Sequence, residues 1–133
     1  MLCFDKKMKS TAELDALAGK EVIEAFALHD LELGWLQQVV FQVEDIYLVV
    51  AVDAATDEVL LSLLSELDFT APEQRFSRTQ ISNQRKRINW LWRMTNQQGY
   101  EDCFQLEFDD RERTNVQVLA EGARLYITVF RRG

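Results

Sequence analysis

The residues best suited to recognition chemistry lie between positions 74 and 102. Residues 74 to 98 hold six cations, Arg75, Arg78, Arg85, Lys86, Arg87 and Arg93, and no Asp or Glu. Trp90 and Trp92 stand two residues apart, so on a strand both project to the same side. Guanidinium groups beside indoles can grip a phosphate backbone and stack bases, or anchor a protein partner. Arg78, Arg85, Lys86, Arg87, Trp90, Trp92 and Arg93 are therefore the candidate binding residues. The plainer expectation competes with this one. A face made of Ile88, Trp90, Trp92 and Met94 would ordinarily be buried, with Arg93 on the opposite side. Cations in an acidic chain would ordinarily pair with its own carboxylates.

Catalytic sets are harder to assemble. The single histidine, His29, falls among acidic residues in an expected turn, far along the chain from Cys103, so neither a Ser-His-Asp nor a Cys-His arrangement can be drawn. Cys3 and Cys103 have no metal-knuckle or redox spacing. No Gly-rich phosphate loop or nucleophile elbow occurs. No metal and no cofactor is expected. Asp53, Asp57 and Glu58, and likewise Asp109, Asp110 and Glu112, form carboxylate clusters that could do acid–base work if one member were desolvated. Asp also favours turns because its side chain bonds nearby backbone. No catalytic residue is assigned.

The chain has 133 residues, 47% hydrophobic and 28% charged, the profile of one folded domain. Residues 1–9 are expected to be a flexible lead and 10–133 a single β-rich domain. Net charge is −7, which disfavours generic nucleic-acid or anionic-membrane binding. With six uncompensated cations in 74–98, the remainder holds 9 basic against 22 acidic residues, or −13. No apolar run is long enough to span a membrane. The N-terminus lacks the apolar core of a secretory signal. Two unpatterned cysteines suit a reducing cytoplasm.

The elements that must position these residues follow from periodicity. Ser10 and Glu13 form a capping box for a short helix at about 11–18, ended by Gly19. Period-two segments then follow from Glu21, with Val22, Phe26 and Leu28; from Trp35 to Val43; and from Ile46 to Val52, apolar on both faces as in a central strand. Val59 to Leu63 makes a returning strand. Residues 65 to 87 read as a long polar loop, with a single helical turn near Thr70 and Pro72. Strands resume at Ile88–Met94, Phe104–Phe108, Val116–Val118 and Leu125–Phe130. Asn96, Gly99, Tyr100 and Asp102 are the structural residues of the turn between the first two. The expectation is a mainly β protein, α+β only at the margin: an antiparallel meander of about eight strands, closed as a barrel or sandwich. Unpaired sheet edges make a homodimer one way to cover them.

The run W-x-W-x-M-x-N-x-x-G-Y-x-D, Trp90 to Asp102, followed by Leu106-Glu107-Phe108, resembles a family of small bacterial proteins known only as a domain of unknown function. Asp57-Glu58, after a strand and turn, is in character. The resemblance covers about half the chain. It implies a bacterial, cytoplasmic, stand-alone domain and brings no activity. The missing catalytic set and the uneven charge point to a non-enzymatic protein-binding module, of which a toxin-neutralising immunity protein or inhibitor is one form. The alternatives are nucleic-acid or nucleotide binding through 75–93 and a carboxylate-based enzyme.

Overall fold

The computed structural model describes residues 6–7, 11–67 and 76–132. Among them lie ten antiparallel strands: β1 (Lys6–Lys7), β2 (Glu21–Asp30), β3 (Leu36–Val43), β4 (Ile46–Asp53), β5 (Glu58–Leu64), β6 (Phe76–Ser82), β7 (Lys86–Met94), β8 (Cys103–Phe108), β9 (Thr114–Glu121) and β10 (Arg124–Arg131). One helix, α1 (Thr11–Asp15), precedes β2. The protein is mainly β. No helix among the described residues is long and apolar enough to cross a membrane.

Strand order runs β1-β5-β4-β3-β2-β7-β8-β9-β10, with β6 also on β2. β2 is the pivot. Its first residues, Glu21 and Val22, pair with Arg87 and Lys86 of β7, while Ala25–Asp30 pair with β6. Beyond that short junction β7 departs with β8, β9 and β10. These strands fold back so that β10 lies over β3 and β4, and β8 and β9 over β5. The result is a sandwich built from one folded meander, not a closed barrel.

The main core fills the space between the layers. Val39, Phe41, Leu48 and Val50 come from one sheet, Phe104, Leu106 and Val118 from the other. The Phe41 and Phe104 rings meet with centroids 6.1 Å apart, a tilted geometry suited to aromatic pairs. Leu14 and Leu17 add the N-terminal helical region to this core. The far face of β2–β5 is buried as well, through Phe26, Leu28, Val40, Val49 and Leu64. This is why β4 is apolar on both faces.

Three sequence expectations change. The helix is shorter than 11–18, continuing past Asp15 only as turns to Gly19 at φ 86°; the capping residue Ser10 lies outside the described residues. Part of the expected 65–87 loop is a strand, β6. Its sequence, FSRTQIS, is mostly exposed, so an edge strand that buries little carries no apolar alternation to read. The turn expected near Thr70 and Pro72 lies outside the described residues. Bulges also break simple parity. One between Val22 and Glu24 sends Val22 to the inter-sheet core and Phe26 to the far face. Lys6–Lys7 pair with Leu63 and Ser62; the remainder of the expected flexible lead, 1–9, lies outside the described residues.

Candidate binding surface

The basic segment is divided by the fold. Arg78 sits on β6, bonds Glu24 at 2.8 Å and stacks over the Phe26 ring at 3.8 Å. Arg85 bonds Glu21 at 2.9 Å. Lys86 lies 3.3 Å from Asp110 and over the Phe108 ring. Arg93 bonds Glu101 at 3.1 Å, and its buried Nε has no hydrogen-bond partner. Arg87 is exposed and makes no ion pair among the described residues. Arg75 lies outside them. The local +6 is thus largely answered by carboxylates from β2, the β7–β8 connection and the β8–β9 loop.

Trp90 and Trp92 do share a face, but it is the outer one. A bulge between Ile88 and Trp90 turns Ile88 and Leu91 inward together. Trp90 is 44% exposed, and Trp92 is half-buried. Of the face expected to be buried, Ile88 is buried, Trp92 and Met94 are half-buried, and the place expected for Trp90 in the core is taken by Leu91. Both indoles border a small cavity of about 180 Å³ with Leu14, Asp15, Leu91 and Arg93.

The turn reading is more local. The Asn96 side-chain oxygen accepts the Gln98 and Tyr100 N–H groups, and its amide donates to Asp102 at 3.2 Å. Gly99 adopts φ 91°, which a side chain would oppose. Tyr100 is exposed.

On the same face as Trp90 and Trp92, beside their cross-strand partners Glu107 and Gln105, lies a buried polar cluster that sequence reasoning did not find. Glu107 accepts from Asn89 at 2.6 Å, Asn115 at 3.2 Å and Arg132 at 2.8 Å. The fully buried Asn115 also accepts from Gln105 at 2.7 Å. Burial pushes the Glu107 carboxyl up, but the Asn89 and Asn115 bonds and the Arg132 charge outweigh it and hold the group below its ordinary value. Asp110 behaves alike: burial raises it, and the Thr114 hydroxyl and N–H with Lys86 bring it net lower. The only available signal was the alternation of Gln105, Glu107, Asn115 and Gln117 on the outer parity of two neighbouring strands. Cys103 is a buried free thiol pushed up to about 11 by burial and then by Asp102.

The expected carboxylate cluster is a set of clamps. Both Asp57 oxygens accept backbone N–H groups of the β9–β10 turn, from Gly122 at 3.1 Å and Ala123 at 2.8 Å. Glu58 accepts the Glu101 N–H at 3.0 Å, and Asp53 the Ala55 N–H at 3.0 Å. His29, expected in a turn, is half-buried on β2 opposite Leu36.

These clamps bring three connections, β4–β5, β7–β8 and β9–β10, to one end of the sandwich. The β2–β3 loop joins them through Arg124 over the Trp35 ring, 5.1 Å from its centroid, and through Gln37 to the Ala123 carbonyl. Among the described residues that end holds eight carboxylates, Asp30, Glu32, Asp53, Asp57, Glu58, Glu101, Asp102 and Glu121, against Arg93 and Arg124. Leu31 and Leu33, 60% and 64% exposed, project from it. With Trp35 and Phe76 they border a cavity of about 450 Å³. Exposed leucines framed by unbalanced carboxylates can take a partner with basic and apolar side chains.

No curated protein and no solved structure matches the chain. Residues 8–133 match the model of a family of unknown function, DUF6334, and the chain belongs to that family.

Proposed function

We propose that this protein is a non-enzymatic binding module that docks a basic protein partner on its acidic end, in a reducing cytoplasm. An immunity-type inhibitor is one form of this function. The observation that carries the reading is the gathering of eight carboxylates and two exposed leucines by four connections distant in sequence. The carboxylates steer a cationic partner by long-range attraction, and Leu31 and Leu33 supply apolar contact once it arrives. The basic segment 75–93 is a weaker docking surface, because Arg78, Arg85, Lys86 and Arg93 already face carboxylates. Nucleic-acid binding there would rest on Arg87 and the exposed Trp90.

The test is nuclease-treated affinity capture from a bacterial lysate with three baits: the native chain, a Leu31→Ser, Glu32→Lys, Leu33→Ser variant, and an Arg85→Glu, Lys86→Glu, Arg87→Glu variant. A stoichiometric basic protein kept by the third bait and lost by the second supports the reading. Loss with the third alone moves the site to the basic segment. Capture of nothing by the native chain sinks the proposal.

A further inference from the structure

We propose that the free edge of β10, with the cleft beside its C-terminal half, takes an extended segment of another protein, which adds to the sheet as a further strand. This surface meets the acidic end only at Arg124, its cleft lies at the opposite end, and the inference stands without the reading above.

Three observations converge. First, among the described residues β10 pairs only with β9, over eight residue pairs from Arg124↔Glu121 to Arg131↔Thr114 without a bulge. Its other side is a row of open peptide groups, with no Pro, Lys or bulge of the kinds that ordinarily blunt an edge. Second, the inward-facing side chains of β10 leave the core step by step. Leu125 is buried, Ile127 is half-buried, and Val129 is 54% exposed although its partner Val116 is buried. Third, Val129 borders a cleft of about 580 Å³ whose apolar wall includes Ile81, Phe108 and Val116. An unpaired edge beside an apolar pocket has the two parts of recognition by strand addition: main-chain bonds for affinity, and a side-chain pocket for specificity.

The charges name the occupant. In the cleft Lys86 is held by Asp110 and Arg131 by Glu112, while Arg111 has no ion-pair partner among the described residues. A second copy fits poorly. Antiparallel pairing of two β10 strands over their full length sets Arg124 of each against Arg131 of the other, a like-charge pairing at both ends. The occupant is therefore a heterologous extended segment of about eight residues, roughly 26 Å long. It carries an apolar side chain to cover Val129 and a carboxylate to reach Arg111.

The experiment selects binders to the native chain from displayed random peptides about ten residues long. Enriched peptides should combine an apolar and an acidic position and protect the amides of 124–131 from hydrogen exchange. Val129→Lys, at an exposed position that leaves the core intact, should weaken them about tenfold or more, as should Arg111→Glu. N-methylation at alternate peptide amides should weaken binding about tenfold, and at the intervening ones far less, because only every second N–H of a strand faces its neighbour. No enrichment, no dependence on methylation phase, or protection confined to other strands would overturn the proposal. So would a dimer of the free chain that protects the same amides.

Discussion

Among the described residues the two ends of the sandwich hold equal numbers of carboxylates but very different numbers of cations. At the acidic end eight carboxylates meet two arginines. At the other, eight carboxylates (Glu21, Glu44, Asp45, Glu66, Glu107, Asp109, Asp110 and Glu112) meet eight cations: Lys20, Arg85, Lys86, Arg87, Arg111, Arg113, Arg131 and Arg132. The basic run that stands out in one dimension is close to neutral in three, because neighbouring loops return carboxylates to it. The unbalanced charge lies at the opposite end. Carboxylates from several connections meet there and are answered mostly by backbone N–H groups, which carry no compensating charge. A local run of one sign is therefore a poor guide to a binding face until the fold has shown what it faces.

The sharpest way to break this comparison is at the buried Glu107 cluster. If the mixed end is internally satisfied, Glu107→Ala should cost about 3 kcal/mol in urea unfolding, since it strands Asn89, Asn115 and the Arg132 guanidinium. Asn115→Leu should cost about 2 kcal/mol for the same reason. Little change in either would mean the cluster is not holding that end together.

At the acidic end, Asp57→Ala removes the acceptor for two turn N–H groups. It should lower stability by about 1–2 kcal/mol, with faster hydrogen exchange at Gly122 and Ala123. Asp57→Asn, keeping one acceptor oxygen, should recover part of the loss.

A pH titration separates the two regions further. Glu107 and Asp110 are both held below their ordinary values in the folded state. The unfolded chain therefore takes up their protons first as pH falls. Their stabilisation is fully present above about pH 5 and is lost as pH drops through the depressed folded values. The Glu107→Gln variant should show a shallower acid limb in stability against pH than the native chain; an unchanged slope would remove Glu107 from the account.

The smallest effects belong to the exposed ion pairs. Arg85→Ala should change stability by about 0.5 kcal/mol or less, because both partners are well solvated. Cys103 gives a check on burial: its thiol, raised to about 11, should resist alkylation of the folded protein at pH 8 and react fully in denaturant.

Much of the architecture was legible along the chain. Ile46–Val52 announced a doubly buried strand because both parities are apolar, and β4 contributes to both cores. Asn96 and Gly99 announced their turn because a side-chain acceptor and a positive φ are local requirements. β6 was not legible, because an edge strand needs a neighbour's backbone more than an apolar face. The Trp90 face was misjudged because a bulge costs one residue of phase and leaves no mark in composition. The Glu107 cluster stayed hidden because Asn89, Glu107, Asn115 and Arg132 come from three strands and the C-terminal end.

By itself the sequence determined a β-rich chain, its turns and an uneven charge, since alternation, positive φ and net charge are properties of near neighbours. Only the tertiary structure decided barrel against sandwich, which carboxylate answers which cation, and which apolar side chains stay in water. Those outcomes depend on β2 handing the sheet over to β7 after two residue pairs, and on loops tens of residues apart meeting at one end.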